Sequence, residues 1–111
     1  MAHLRFDGCD AVELAKEYGT PLYVLSEDRI RARIRELRET FLDRWPGSSA
    51  AYASKALQTL DLCRIVASEG LDLDVVSGGE LHAALKAGFP PGRIHFHGNS
   101  KTPEEIRMAL D

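Results

Sequence analysis

Lys55 lies in the run Ala-Tyr-Ala-Ser-Lys-Ala at residues 51–56, among small and apolar neighbours. A lysine placed where a buried strand emerges is expected to be partly desolvated. Loss of water penalises the ammonium more than the neutral amine, which frees a nucleophile able to attack an aldehyde. The same position also fits a surface lysine whose stem lies on apolar neighbours while its charge stays in water. Asp74 interrupts the apolar run at residues 71–76, with Asp72 two positions earlier on the same strand face. A buried carboxylate without a partner is costly. Asp74 therefore lies at a solvated strand end, or it faces a cation such as a cofactor amine or Lys55.

Ser77-Gly78-Gly79 sets backbone N–H groups at a helix start, where a phosphate or carboxylate is held readily. A simple strand-to-helix turn capped by serine uses the same residues, and two glycines fall short of a phosphate-binding loop. His95 and His97 alternate onto one strand face, yet no third ligand at suitable spacing accompanies them, so hydrogen-bonded histidines are expected and no metal. Lys101 follows Asn99-Ser100, where either ligand contact or solvation fits. Cys9 and Cys63 form neither a CxxC pair nor a metal-ligand cluster, and reduced cytosolic thiols follow.

The elements that must position these groups are legible from periodicity and caps. A helix is expected over Ala11–Tyr18 with Gly19 as its stop, then a strand over residues 21–25. Ser26 caps a long helix whose apolar stripe is Ile30, Ile34, Leu37 and Phe41, with solvated charged faces elsewhere. Strands follow at residues 49–54, 71–76 and 93–97. Helices are expected at residues 59–69, with Leu60, Leu62, Ile65 and Val66 inward, and at residues 80–87. Thr102, Pro103 and Glu105 form a capping box that opens another helix. Three strands spaced by about 22 residues with helices between them imply βαβ crossovers and a parallel sheet. Lys55, Ser77-Gly78-Gly79 and His97-Gly98-Asn99 then share the carboxyl edge, where such folds bind ligands.

At 111 residues the chain is far below the roughly 250 residues of a complete β/α barrel, and its last helix stops after about two turns without a terminating signal. A cut chain is the expectation. Fourteen basic against seventeen acidic residues give a net charge of −3, so no global positive field draws nucleic acid or an anionic membrane. Arg5 and Asp7 stand where a secretory signal needs an apolar core, and no apolar run is long enough to span a bilayer.

Three segments in order, Tyr52-Ala53-Ser54-Lys55-Ala56, Asp74-Val75-Val76-Ser77-Gly78-Gly79-Glu80-Leu81 and His97-Gly98-Asn99-Ser100-Lys101, resemble the pyridoxal-phosphate-dependent decarboxylases with an alanine-racemase-type barrel. The nearest likeness is to the branch that converts meso-diaminopimelate to L-lysine and CO2. Ornithine and arginine decarboxylases share the lysine motif but usually not the Ser-Gly-Gly-Glu and His-Gly-Asn combination. The likeness starts at about residue 18, and Ser100 departs from the family's asparagine.

The resemblance implies an α/β fold, the N-terminal part of a (β/α)8 TIM barrel with about three parallel β/α units after a lead-in helix and strand. Residues 1–25 would be the lead-in and residues 26–111 an incomplete pyridoxal-phosphate-binding barrel. It further implies that Lys55 is the Schiff-base lysine and that Asp74 lies near the cofactor, orienting the lysine amine or a substrate ammonium. The cofactor is pyridoxal 5'-phosphate, the substrate an amino acid, and the full-length family member a cytoplasmic homodimer. The chain alone is expected to decarboxylate nothing detectable, since an open sheet edge does not exclude water. The rival reading is a non-catalytic homologue acting as a cofactor-binding or interaction module.

Overall fold

The computed structural model describes residues 2–111. The chain opens with a hairpin, β1 (Arg5–Phe6) against β2 (Cys9–Asp10), which the sequence reading did not anticipate. Asp7 and Gly8 make its two-residue turn with φ of 48° and 82°, the left-handed pair that such a hairpin requires. Asp10 then caps α1 (Ala11–Tyr18) by accepting from Val12 and Glu13 N–H.

Residues 22–25 do not form the expected strand. They run without a ladder partner, and Tyr23 is 97% exposed. A short run of apolar and β-favouring residues suits an extended backbone, but a strand exists only where a second backbone supplies the paired donors and acceptors. Ser26 caps α2 (Glu27–Thr40), its hydroxyl accepting from Arg29 N–H at 3.0 Å. Of the stripe along α2, Ile34 is buried and Ile30 half-buried, while Leu37 and Phe41 remain exposed. The charged face of α2 is more organised than a solvated surface. Arg31 and Arg35 each reach Glu69 at 2.8 Å, and Arg38 donates to the Glu69 carbonyl at 3.0 Å. The two guanidiniums, Arg35 first, hold the Glu69 carboxyl down to about 2. Gly70 follows at φ 84°, with Arg38 Nη1 2.6 Å from where a β-carbon would stand. Glycine meets both the backbone sign and the close approach.

The main sheet has the order β3-β4-β5, all parallel, built from β3 (Ala51–Ala53), β4 (Asp72–Val75) and β5 (Ile94–Phe96). Between them run α3 (Leu60–Ser68) and α4 (Gly78–Lys86), and α5 (Pro103–Leu110) follows β5. Register pairs Tyr52 with Leu73 and Leu73 with Ile94, so one face is apolar. Leu73 and Val75 on that face are 0% exposed and pack with Leu62, Cys63, Val66, Leu81, Ala84 and Phe89. Cys63, rather than Leu60, completes the inner face of α3. The opposite face carries Ala51, Ala53, Asp72, Asp74 and His95, by the same register. The parallel α/β architecture is therefore present as three strands. No helix is long and apolar enough to cross a membrane among the described residues.

Candidate active site

Parallel pairing sets the ends of β3, β4 and β5 on one edge, so the segments that follow them are neighbours. Lys55 lies in a short 3-10 turn, Ser54–Ala56, directly after β3. The expectation of partial desolvation fails here: Lys55 is exposed. Three strands enclose no interior, and β3 is an edge strand, so one side of that turn meets water. Lys55 Nζ has no hydrogen-bond or ion-pair partner among the described residues. Ser54 beside it is 2% exposed, and its hydroxyl likewise lacks a partner. A buried hydroxyl with no partner is an unpaid desolvation, uncommon in folded chains.

Asp72 and Asp74 share a face, as the alternation requires. Asp72 Oδ2 meets His95 Nε2 at 3.0 Å, and its Oδ1 lies 3.4 Å from Arg93 Nε. Arg93 also donates to the carbonyls of Ala67 and Leu71, pinning the start of β4. Asp74 has its side chain 24% exposed and His97 Nδ1 3.7 Å away. It makes no ion pair with Lys55 among the described residues. Each histidine of the strand thus has a carboxylate neighbour. The described residues that bring three metal-ligating side chains together are instead His3, Asp10 and Glu13, around the exposed start of α1.

The start of α4 differs from an open anion cradle. Ser77 Oγ accepts from Glu80 N–H at 3.2 Å, and Glu105 Oε1 accepts from Gly78 N–H at 2.9 Å. The chain's own carboxylate meets the helix dipole there. A β-carbon on Gly78 would come within 3.2 Å of Glu105 Cγ, so a larger residue there would require the Glu105 side chain to shift by a few tenths of an ångström. Glu105 Oε2 accepts from Thr102 N–H, completing the capping box. The N–H donors of Thr102 and Gly78 hold the Glu105 carboxyl below its ordinary value. Lys101 donates to the Gly98 carbonyl at 2.9 Å and sits over the Phe96 ring, which settles it into a local contact.

Two further side chains lay beyond the reach of sequence reasoning. Tyr52 Oη donates to the Leu57 carbonyl at 2.9 Å, and Gln58 Nε2 donates to the Glu80 carbonyl at 2.9 Å. The Gln58 bond spans 22 residues, so no local signal marks it.

With three loops on one sheet edge and a lysine in the first of them, the chain belongs to the pyridoxal-dependent decarboxylases: residues 27–111 match the family described as "Pyridoxal-dependent decarboxylase, pyridoxal binding domain". Within it, the chain is 50% identical over 109 residues to the diaminopimelate decarboxylase of Bacillus subtilis, covering 98% of this chain and 25% of that protein. The Methanothermobacter thermautotrophicus diaminopimelate decarboxylase is 48% identical, with 98% and 26% covered. Among solved structures, the M. jannaschii diaminopimelate decarboxylase in co-complex with L-lysine superposes with a TM-score of 0.87 at 44% identity, covering 96% of this chain and 25% of that one. The lysine/ornithine decarboxylase of Vibrio vulnificus, complexed with cadaverine, is similar at 0.80 but only 27% identical, covering 89% and 26%. The chain spans about a quarter of the length of these relatives.

Proposed function

We propose that this chain is the lysine-bearing portion of a pyridoxal-phosphate-dependent decarboxylase that converts meso-diaminopimelate to L-lysine and CO2. The observation that carries the reading is the placement of Lys55 in the turn directly after β3, at the carboxyl edge of the sheet and inside the matched residues 27–111. Higher identity to diaminopimelate decarboxylases than to the lysine/ornithine enzyme favours that substrate over other basic amino acids.

The residues fit the cofactor on structural grounds. Lys55 Nζ makes no hydrogen bond or ion pair among the described residues, so no existing contact has to be broken for it to reach a carbonyl. The neighbouring Ser54 hydroxyl is a buried polar group still lacking a partner. Lys55 would hold pyridoxal phosphate through Nζ. When bound, that group supplies an electron sink for the pair left on Cα as the carboxylate departs. Asp74 pairs in register with Ala53 and would bring negative charge near the carboxyl edge, able to orient a substrate ammonium; it makes no ion pair with Lys55 among the described residues. His97 Nδ1 lies 3.7 Å from that carboxylate. The α4 helix start contributes no phosphate cradle through Gly78, because Glu105 occupies that donor. Residues 26–111 are read as the first part of a (β/α)8 barrel, residues 1–25 as its lead-in, and the whole protein as a cytoplasmic homodimer.

The test is chemical trapping. Pyridoxal phosphate followed by borohydride should leave reduced label on Lys55, and Lys55→Ala should lose it. Coexpression with the remaining three quarters of a close relative should restore CO2 release from meso-diaminopimelate, and Lys55→Arg should abolish it. Absence of label on Lys55 in the folded chain overturns the assignment.

A further inference from the structure

We propose that Gln58 is a positioning residue for Lys55, bracing the turn that carries the amine against the next β/α unit. This rests on the reading of Lys55 as the cofactor lysine. Since Lys55 makes no bond of its own, its place is set by whatever fixes the Ser54–Ala56 turn. Three contacts do so. The pairing of Ala53 with Asp74 fixes the turn's entrance, and the Tyr52 hydroxyl ties down Leu57 within the same loop. Among the described residues only the Gln58 side chain hydrogen-bonds from this loop to another, its amide reaching the Glu80 carbonyl at 2.9 Å while lying 3.7 Å from Cys63 Sγ on α3.

Glu80 is itself well anchored. Its N–H is capped by Ser77, its Oε2 accepts from Val76 N–H at 2.7 Å, and its helix begins at Gly78, bonded to Glu105. Glu105 closes onto Thr102 in the loop after β5. Gln58 is thus the first link of a chain of hydrogen bonds that joins all three loops on the carboxyl edge. Condensation with a carbonyl orders both the lysine side chain and the turn that carries it, and a turn already braced leaves less backbone to order.

The experiment uses the full chain and pyridoxal phosphate itself. After borohydride reduction, peptide mapping compares label on Lys55 with label on Lys16, Lys86 and Lys101. The wild-type chain should label Lys55 preferentially. Gln58→Met, similar in size but without a donor, should lower the Lys55 label about fivefold, as expected for one net hydrogen bond. The label on the other three lysines should stay the same, while the melting midpoint falls only by the few degrees that one net hydrogen bond is worth. A purely structural role would lower the midpoint and leave the distribution of label unchanged, which overturns the proposal. Equal Lys55 labelling in Gln58→Met and wild type also overturns it, while leaving the cofactor lysine in place. No preference for Lys55 in the wild type brings down the underlying reading and this one with it. If Gln58→Met does not fold, Gln58→Asn makes the same comparison with the same outcomes, because its amide falls one methylene short of Glu80.

Discussion

Residues 2–25 and residues 51–110 hold their shapes by different means. In the first region α1 buries none of its residues, and the hairpin turn, the Asp10 cap and the Asp7–Arg29 ion pair are all local or exposed. In the second, β4 buries Leu73 and Val75 completely beneath α3 and α4. Backbone caps are enough to specify geometry, but removal of apolar area from water supplies most of the stability. The reactive edge of the chain stands on the second kind of support.

Deleting core volume gives the sharpest contrast. Leu73→Ala leaves a cavity at the centre of the sheet and should cost about 2–5 kcal/mol, enough to unfold much of a chain this small. Tyr23→Ala, at 97% exposure, should stay within about 0.5 kcal/mol of wild type. Urea denaturation followed by circular dichroism measures both, and comparable losses would erase the distinction between the regions. Ser26→Ala tests the junction. Its hydroxyl caps α2, the helix that touches both regions, and its loss should cost about 1 kcal/mol in the same experiment.

What the sequence revealed followed the range of the forces involved. Ser26, Ser77 and the Thr102–Glu105 capping box were legible because donor and acceptor lie three residues apart. The face shared by Asp72 and Asp74 was legible from strand alternation alone. The β1–β2 hairpin carried a readable Asp-Gly signal, but strands of two residues are too short to show alternation. Residues 22–25 have the composition of a strand without the partner backbone that makes one, and composition does not report partners. Glu69 with Arg31 and Arg35, Gly78 with Glu105, and Gln58 with Glu80 all join distant positions that only the fold brings together. Lys55 was placed correctly on the carboxyl edge, but its solvation depends on what surrounds that edge, and three strands leave it open.

The Glu69 cluster tests the second region by pH. Its folded carboxyl titrates at about 2 against an ordinary 4.5, so the unfolded chain binds more protons between those values. The cluster's stabilisation is therefore fully present above about pH 5 and is lost as pH falls toward 2. Urea midpoints measured across that window should fall steeply in the wild type and less steeply in Glu69→Gln. Parallel slopes would mean that the two arginines do not hold the carboxylate in solution.

The smallest effect belongs to the seam between the regions. Arg29 reaches back from α2 to Asp7 at 3.0 Å and lies over the Phe6 ring at 5.3 Å. Both contacts are exposed, and such pairs contribute little to global stability. Arg29→Ala should therefore leave the melting midpoint nearly unchanged, yet it removes the charged tie between the hairpin and α2. Amide exchange should quicken in α1 and at the hairpin, while Leu73 and Val75 keep wild-type protection. If protection in β4 fell together with that in α1, the two regions would unfold as one unit, and the lead-in would be part of what holds the lysine edge in place.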